Sequence, residues 1–163
     1  MLLKKLIENC PNKFANIIVK GLSSDTRKLK KGELFFALKG SQINGEKFIS
    51  QAIKKGACAV ISSKKNKKNP KIIKVKNVRK CLGKICSKFY TNKPKNIIAV
   101  TGTNGKSSVA DFFHQILSLN GLPVATIGTL GVKIKKIKQQ NLTSPDIISL
   151  HKELNDLKKK KIE

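Results

Sequence analysis

The sequence predicts an α/β fold in two consecutive units, and three features carry that expectation. Short runs rich in Ile, Val and Phe alternate with segments whose apolar residues recur at helical spacing. A glycine-rich loop, Thr101-Gly102-Thr103-Asn104-Gly105-Lys106-Ser107-Ser108, joins one such run to one such segment. A polar stretch containing a proline, Tyr90-Thr91-Asn92-Lys93-Pro94-Lys95, ends a helical pattern just before the loop's strand begins, which marks a domain boundary. The units are therefore drawn as residues 1–93 and 94–163.

In the first unit Ile17-Ile18-Val19, Leu34 to Leu38, Ala57 to Ile61 and Ile72 to Val75 read as four strands. Phe48, Ile49, Ala52 and Ile53 form one helical face, stopped by Gly56. Val78, Cys81, Leu82, Ile85, Cys86 and Phe89 form another, with Arg79, Lys80, Lys84 and Lys88 mostly off it. The run Lys64 to Lys71 has no apolar period and contains Pro70, so it reads as a solvated loop.

The second unit opens with Asn96-Ile97-Ile98-Ala99-Val100, read as a buried strand, and continues after the loop with Val109, Phe112, Phe113, Ile116 and Leu117 on one helical face. Pro123 to Gly128 reads as the next strand, which makes a right-handed parallel β-α-β unit. Val132, Ile134 and Ile137 among lysines suit a half-exposed strand or hairpin. Ser144 as N-cap, Pro145 at the first helical position and Asp146 near the dipole's positive end start a last helix lined by Ile147, Leu150, Leu154 and Leu157.

Composition narrows the function classes. The 163 residues carry a net charge of +26, which ordinarily suggests a polyanion partner. Only Arg27 and Arg79 are arginine, however, and aromatics are 5% of the chain, so neither guanidinium forks nor base-stacking platforms are in supply. The lysines run along the whole chain as a general bias, and a dedicated nucleic-acid function is the lesser alternative. No apolar run approaches the length of a membrane span, and the charged start is no secretory signal, so a cytoplasmic protein without membrane insertion is expected. Cys10, Cys58, Cys81 and Cys86 lack zinc-type spacing with each other or with His114 and His151, and they read as isolated thiols of a reducing compartment. Both histidines read as surface or boundary residues.

The loop carries the chemistry. Gly102 and Gly105 allow a tight turn that points backbone N–H groups inward, the following helix adds the positive end of its dipole, and Lys106 adds a full charge. Ser107 stands where a hydroxyl ligates the Mg²⁺ that accompanies a nucleoside triphosphate. Gly102, Thr103, Asn104, Gly105, Lys106, Ser107 and Ser108 are thus the candidate ATP-binding residues, although Val100 takes the first glycine position of the general pattern. A glycine turn with a surface lysine is the plainer alternative.

With Asn104 and the early Thr101-Gly102-Thr103, this loop resembles that of the Mur ligase family, which includes the folylpolyglutamate synthetases. Ser23 to Arg27, Lys31 to Gly40, Asn44-Gly45, Phe48-Ile49, Ala52 and Gly56-Ala57 are similar to the amino-terminal domain of the family's peptidoglycan enzymes, which the folate enzymes lack. Ile127-Gly128-Thr129-Leu130-Gly131 resembles the members that add the third peptide residue. The resemblance implies a UDP-sugar-binding first domain and the opening part of an ATP-binding central domain with a parallel sheet. It implies ATP-dependent amide formation through an acyl phosphate, with ATP and Mg²⁺ required. The partners would be UDP-N-acetylmuramoyl-L-alanyl-D-glutamate and a diamino acid, meso-diaminopimelate or lysine, in a monomer. Ser24, Thr26, Ser41, Gln42 and Ile43 match the uridine contacts, and Thr143 and Ser144 match the muramoyl-peptide contacts, with Leu142 departing from the polar residue expected there. The plainer alternatives stay open: Ser24, Asp25 and Thr26 as a self-bonded turn, Asp25 with Arg27 as an internal pair, and Ser144 as a helix cap. After the loop only Asp111, Asp146, Glu153, Asp156 and Glu163 are acidic, and none ends an apolar run as a second metal ligand would. No catalytic residue is identified, so the 163 residues alone are expected to be an inactive fragment.

Overall fold

The computed structural model describes residues 1–40, 43–64, 70–129, 131–134, 137–139 and 145–162. They form two compact units, Met1–Phe89 and Tyr90–Glu163.

In the first unit four parallel strands lie side by side in chain order: β1 (Gly21–Ser23), β2 (Glu33–Phe36), β3 (Ala59–Ser62) and β4 (Ile72–Lys74). The register pairs Leu22 with Leu34, Phe35 with Val60 and Ile61 with Ile73. Strands covered on both faces read as unbroken apolar runs. Accordingly Leu34, Phe35, Phe36, Val60 and Ile61 are all fully buried. One face packs Phe35 and Val60 with Leu29, Ala37, Ala52 and Ala57, closed by Ile49 and Ile53 of α2 (Ile49–Lys54). The long helix α3 (Val78–Phe89) buries Val78, Leu82, Ile85 and Cys86, at helical spacing on the predicted face. It also contacts α1 (Leu3–Leu6), and Glu8 beyond α1 takes ion pairs from Lys84 and Lys88 at 3.3 and 3.2 Å.

The first strand differs from the expected one. Ile17-Ile18-Val19 makes only a single antiparallel bridge, Leu2 to Ile18, together with reciprocal bonds between Met1 and Val19. Ile18 points to solvent, and the sheet's true edge is Gly21–Ser23. Gly and Ser have low strand propensity, and what recruits them is the register: a Cβ on Gly21 would lie 2.7 Å from Glu33 Oε1, so glycine fits there. Gly45 is constrained more severely, since a Cβ would meet the Leu38 carbonyl oxygen at 2.5 Å.

The second unit contains α4 (Lys106–Leu119), an antiparallel meander of β5 (Ala125–Gly128), β6 (Gly131–Ile134) and β7 (Ile137–Gln139), and α5 (Ile147–Lys159). Its core is small: Val132, Leu157 and Ile162, with Ala125, Ile127 and Ile134 against them. Three expectations are corrected here. Residues 96–100 are not a strand; Ile97, Ile98 and Val100 are exposed, because a strand needs a neighbour for its N–H and C=O groups and the described strands of this unit pair with one another. The parallel β-α-β unit is therefore not formed among the described residues, and β5 runs antiparallel to β6. Helix α5 is capped by Asp146, whose carboxylate accepts from the Ile148 and Ser149 N–H groups and the Ser149 hydroxyl, while Ser144 lies outside the described residues.

Helix α4 forms where the period predicts it, yet its large apolar side chains face outward. Phe112 is 63% exposed, and Val109, Phe113, Ile116 and Leu119 are exposed too. The helix instead buries or half-buries Ala110, Asp111, His114 and Leu117 and lies against β5.

Candidate functional site

Two groups of predicted residues are brought to the ends of elements where ligands bind. The first lies at the carboxyl ends of the parallel strands, where open α/β sheets hold their ligands. Strand β1 runs into Ser24, Asp25 and Thr26, and the adjacent β2 runs into the segment ending at Ile43. Here Asp25 accepts from the Arg27 N–H and receives Arg27's guanidinium on both oxygens at 2.8 to 3.1 Å. The side-chain bonds and the backbone N–H from Arg27 hold its carboxyl below the usual aspartate value. The internal-pair alternative is thus what the geometry contains. Ile43 is exposed and its carbonyl accepts from the Gly40 N–H, whereas Ser41 and Gln42 lie outside the described residues, as do Leu142, Thr143 and Ser144.

Thr26 is only 5% exposed. Its hydroxyl donates to Gln51 Oε1 at 2.7 Å and its carbonyl accepts from the Lys55 ammonium at 2.8 Å, so it ties the turn to α2. Thr26→Val is accordingly expected to lower the first unit's unfolding free energy by about 0.5–1.5 kcal/mol, the worth of one neutral hydrogen bond, in denaturant melts of the purified protein.

Glu46 was not singled out by the sequence. It sits in the 3₁₀ turn Gly45–Phe48 and accepts from Ser63 at 2.8 Å, with Lys64 at 3.2 Å and Asn44 and Ser62 at 3.5 Å. Burial acts to raise its pKa, and the Ser63 hydroxyl and Lys64 outweigh that, leaving it below the ordinary glutamate value. It joins the loop after β2 to the end of β3; only tertiary pairing reveals this.

The second group is the glycine-rich loop before α4. Gly105 has φ +76°, the left-handed conformation that glycine tolerates, and its carbonyl accepts from Val109 to start α4. Residues 101–109 are all exposed. The Lys106 ammonium folds back onto the carbonyls of Gly102 and, at 3.0 Å, Thr103. Ser107 and Ser108 line a cleft of about 290 Å³ with Asp111, Thr126, Thr129 and Lys133. Across it Lys133 Nζ meets Asp111 Oδ1 at 2.5 Å, a pair no sequence pattern announced.

His114 corrects the surface reading: it is 2% exposed, and neither ring nitrogen has a hydrogen-bond partner among the described residues. Desolvation first, and then the nearby Lys133 charge, push its pKa below 6.5. His151, similarly desolvated and near Lys93, moves the same way. Because the unfolded chain then takes up protons before the folded one, the second unit should lose stability as pH falls below about 6.5. His114→Leu should flatten that slope in pH-dependent melts, leaving the share from His151.

A left-handed glycine, a lysine and a hydroxyl at a helix start are features this chain shares with nucleotide-phosphate-binding proteins as a class. The chain belongs to the Mur ligase family: residues 18–90 match the Mur ligase family catalytic domain and residues 100–163 the Mur ligase middle domain. It is 42% identical over 163 residues to the UDP-N-acetylmuramoyl-L-alanyl-D-glutamate--2,6-diaminopimelate ligase of Rickettsia montanensis, covering 95% of this chain and 34% of that one. Against the enzyme of the same name from Rhizobium meliloti (strain 1021) it is 38% identical, covering 88% of this chain and 30% of that one. A solved structure of a ligase of this name superposes with a TM-score of 0.83 at 28% identity, over 99% of this chain and 34% of that chain. The Thermotoga maritima MurF ligase, solved with ADP, shares the fold with a TM-score of 0.54 over 66% of this chain and 25% of its own. The chain spans about a third of the length of the relatives it matches.

Proposed function

We propose that this chain supplies the UDP-sugar-binding and ATP-binding portions, residues 1–93 and 94–163, of an ATP-dependent amide ligase of peptidoglycan synthesis. The reaction adds a diamino acid, meso-diaminopimelate by likeness to the named relatives, to UDP-N-acetylmuramoyl-L-alanyl-D-glutamate in the cytoplasm. Among the described residues no helix is long and apolar enough to cross a membrane. The reading has the enzyme work as a monomer without nucleic acid.

The observation that carries this reading is the exposed loop at the start of α4, inside the segment that matches the middle domain of a ligase family. A magnesium nucleotide fits the residues present. Hard oxygen donors suit Mg²⁺, and Ser107, next to Lys106 in the chain, brings its hydroxyl to the first turn of the helix. Gly102 has φ +152°, a backbone conformation that L side chains rarely adopt, so glycine suits this turn of the loop. Bound there, Mg²⁺ would neutralise charge on the phosphate oxygens. Lys106, with the loop amides of Thr103 to Ser108, would orient the phosphates, because phosphoryl transfer asks for positioning and charge stabilisation more than covalent help. Ser24, Thr26, Ser41, Gln42 and Ile43 would hold the uridine end, and Thr143 and Ser144 the muramoyl-peptide end.

Separate calorimetric titrations test the reading. UDP-N-acetylmuramoyl dipeptide and Mg·ADP should each bind the chain, and Lys106→Ala should weaken only the second. A chain that binds neither, or one that loses both with Lys106, contradicts it.

A further inference from the structure

We propose that Asp111 and Lys133 form a latch that fixes the phosphate-loop helix against the β5–β6 hairpin, making both positioning residues for the magnesium-nucleotide site. The inference rests on the nucleotide reading of Lys106 and Ser107 given above.

The surface α4 turns inward is a poor source of orientation. Its large apolar residues Phe112, Phe113 and Ile116 are exposed, and what it buries or half-buries includes an alanine and an imidazole with no hydrogen-bond partner among the described residues. Apolar contact is non-directional in any case. The Asp111 carboxylate, by contrast, is held at both oxygens. Lys133 Nζ lies 2.5 Å from Oδ1, and Gln115 Nε2, one turn further along α4, donates to Oδ2 at 2.7 Å. Lys133 stands on β6 opposite Thr126, and its side chain is only 23% exposed. The tie therefore reaches from α4 past β5 to the second strand of the hairpin.

Its position gives it leverage on the site. Asp111 follows Ser107 by four residues, one helical turn, so the two share a face of α4, and both line the same cleft. Any roll or slide of α4 about this point displaces the Ser107 hydroxyl and the Lys106 stem, and phosphate positioning is sensitive to shifts on the order of 1 Å. Asp111 also neutralises Lys133 at the cleft wall, so losing the carboxylate both frees the helix and leaves a cation unpaired.

The test uses the full chain, with Mg·ADP as probe, in calorimetric titrations beside thermal melts without nucleotide. Asp111→Asn and Lys133→Met should each weaken Mg·ADP binding about three- to tenfold, a coupling of the size seen between contacting residues. The reversed pair, Asp111→Lys with Lys133→Asp, should recover most of that loss. If a single variant unfolds the second unit, the affinity of the reversed pair decides. Singles that melt earlier yet bind Mg·ADP as the parent does overturn the latch alone and leave it a stabilising contact. A parent chain that does not bind Mg·ADP overturns the nucleotide reading, and the latch with it.

Discussion

Replacing Lys106 by alanine is expected to remove amide formation almost completely while leaving nucleotide-sugar binding nearly unchanged. The measurement needs a protein of the relatives' length, so the natural assay is a chimera in which residues 1–163 replace the matching third of the Rickettsia montanensis ligase. Lys106 is the cation on the loop before α4, where its ammonium now rests on the Gly102 and Thr103 carbonyls. In the proposed reaction that ammonium transfers to the phosphates and stabilises charge that grows during transfer. Removing a preorganised charge donor of this kind costs roughly 10²–10³ in turnover. The proposed uridine residues Ser24, Thr26 and Ile43 belong to the other compact unit and share no element with the loop. Phosphate release should therefore collapse, and calorimetric affinity for UDP-N-acetylmuramoyl dipeptide should hold. A folded variant that loses both equally would place the nucleotide-sugar contacts elsewhere.

The elements legible in the sequence are those whose signal is local. Strands β2 to β4 are dense apolar runs, and α3 repeats its buried residues turn by turn, so Leu34 to Phe36, Val60-Ile61 and the Val78–Cys86 face stand where composition and period put them. Strand β1 was illegible because Gly21 and Ser23 enter the sheet through their register with β2, which composition does not encode. The misread strand at 96–100 shows the converse: an apolar run specifies that a strand wants neighbours, not that the neighbours are present. The same holds for α4, where the period gave the helix correctly and the buried side wrongly.

At the sites, the loop stands out because glycine, lysine and serine follow at a fixed spacing, and the structure puts that spacing at the start of α4 with Gly105 left-handed. Glu46, with its partners at Ser62 to Lys64, and the Asp111–Lys133 pair join residues about 16 to 22 apart, and no spacing rule reports on them. The helix cap was ambiguous for a different reason. Ser144 and Asp146 are both good cap residues two positions apart, and Asp146 prevails in the structure with three hydrogen bonds to one carboxylate.

Residues 1–163 on their own are expected to give no amide-forming turnover, whereas the chimera should turn over. The phosphate loop leaves residues 96–100, whose backbone is not laddered into a sheet, so the loop lacks the rigid strand that preorganises phosphate-binding amides. The exposed stripe of Val109, Phe112, Phe113, Ile116 and Leu119 leaves α4 with little apolar burial to hold its start in place. Hydrogen exchange should accordingly be fast across 96–105 and slow in β2 and β3, whose buried ladders open only with the first unit as a whole. In the chimera, packing against the rest of the relative's domain should cover Phe112 and Ile97, slow exchange across the loop, and bring phosphate release with it. Turnover by purified residues 1–163, free of host ligase, would mean that the loop is preorganised without its sheet and that the catalytic groups lie within this third.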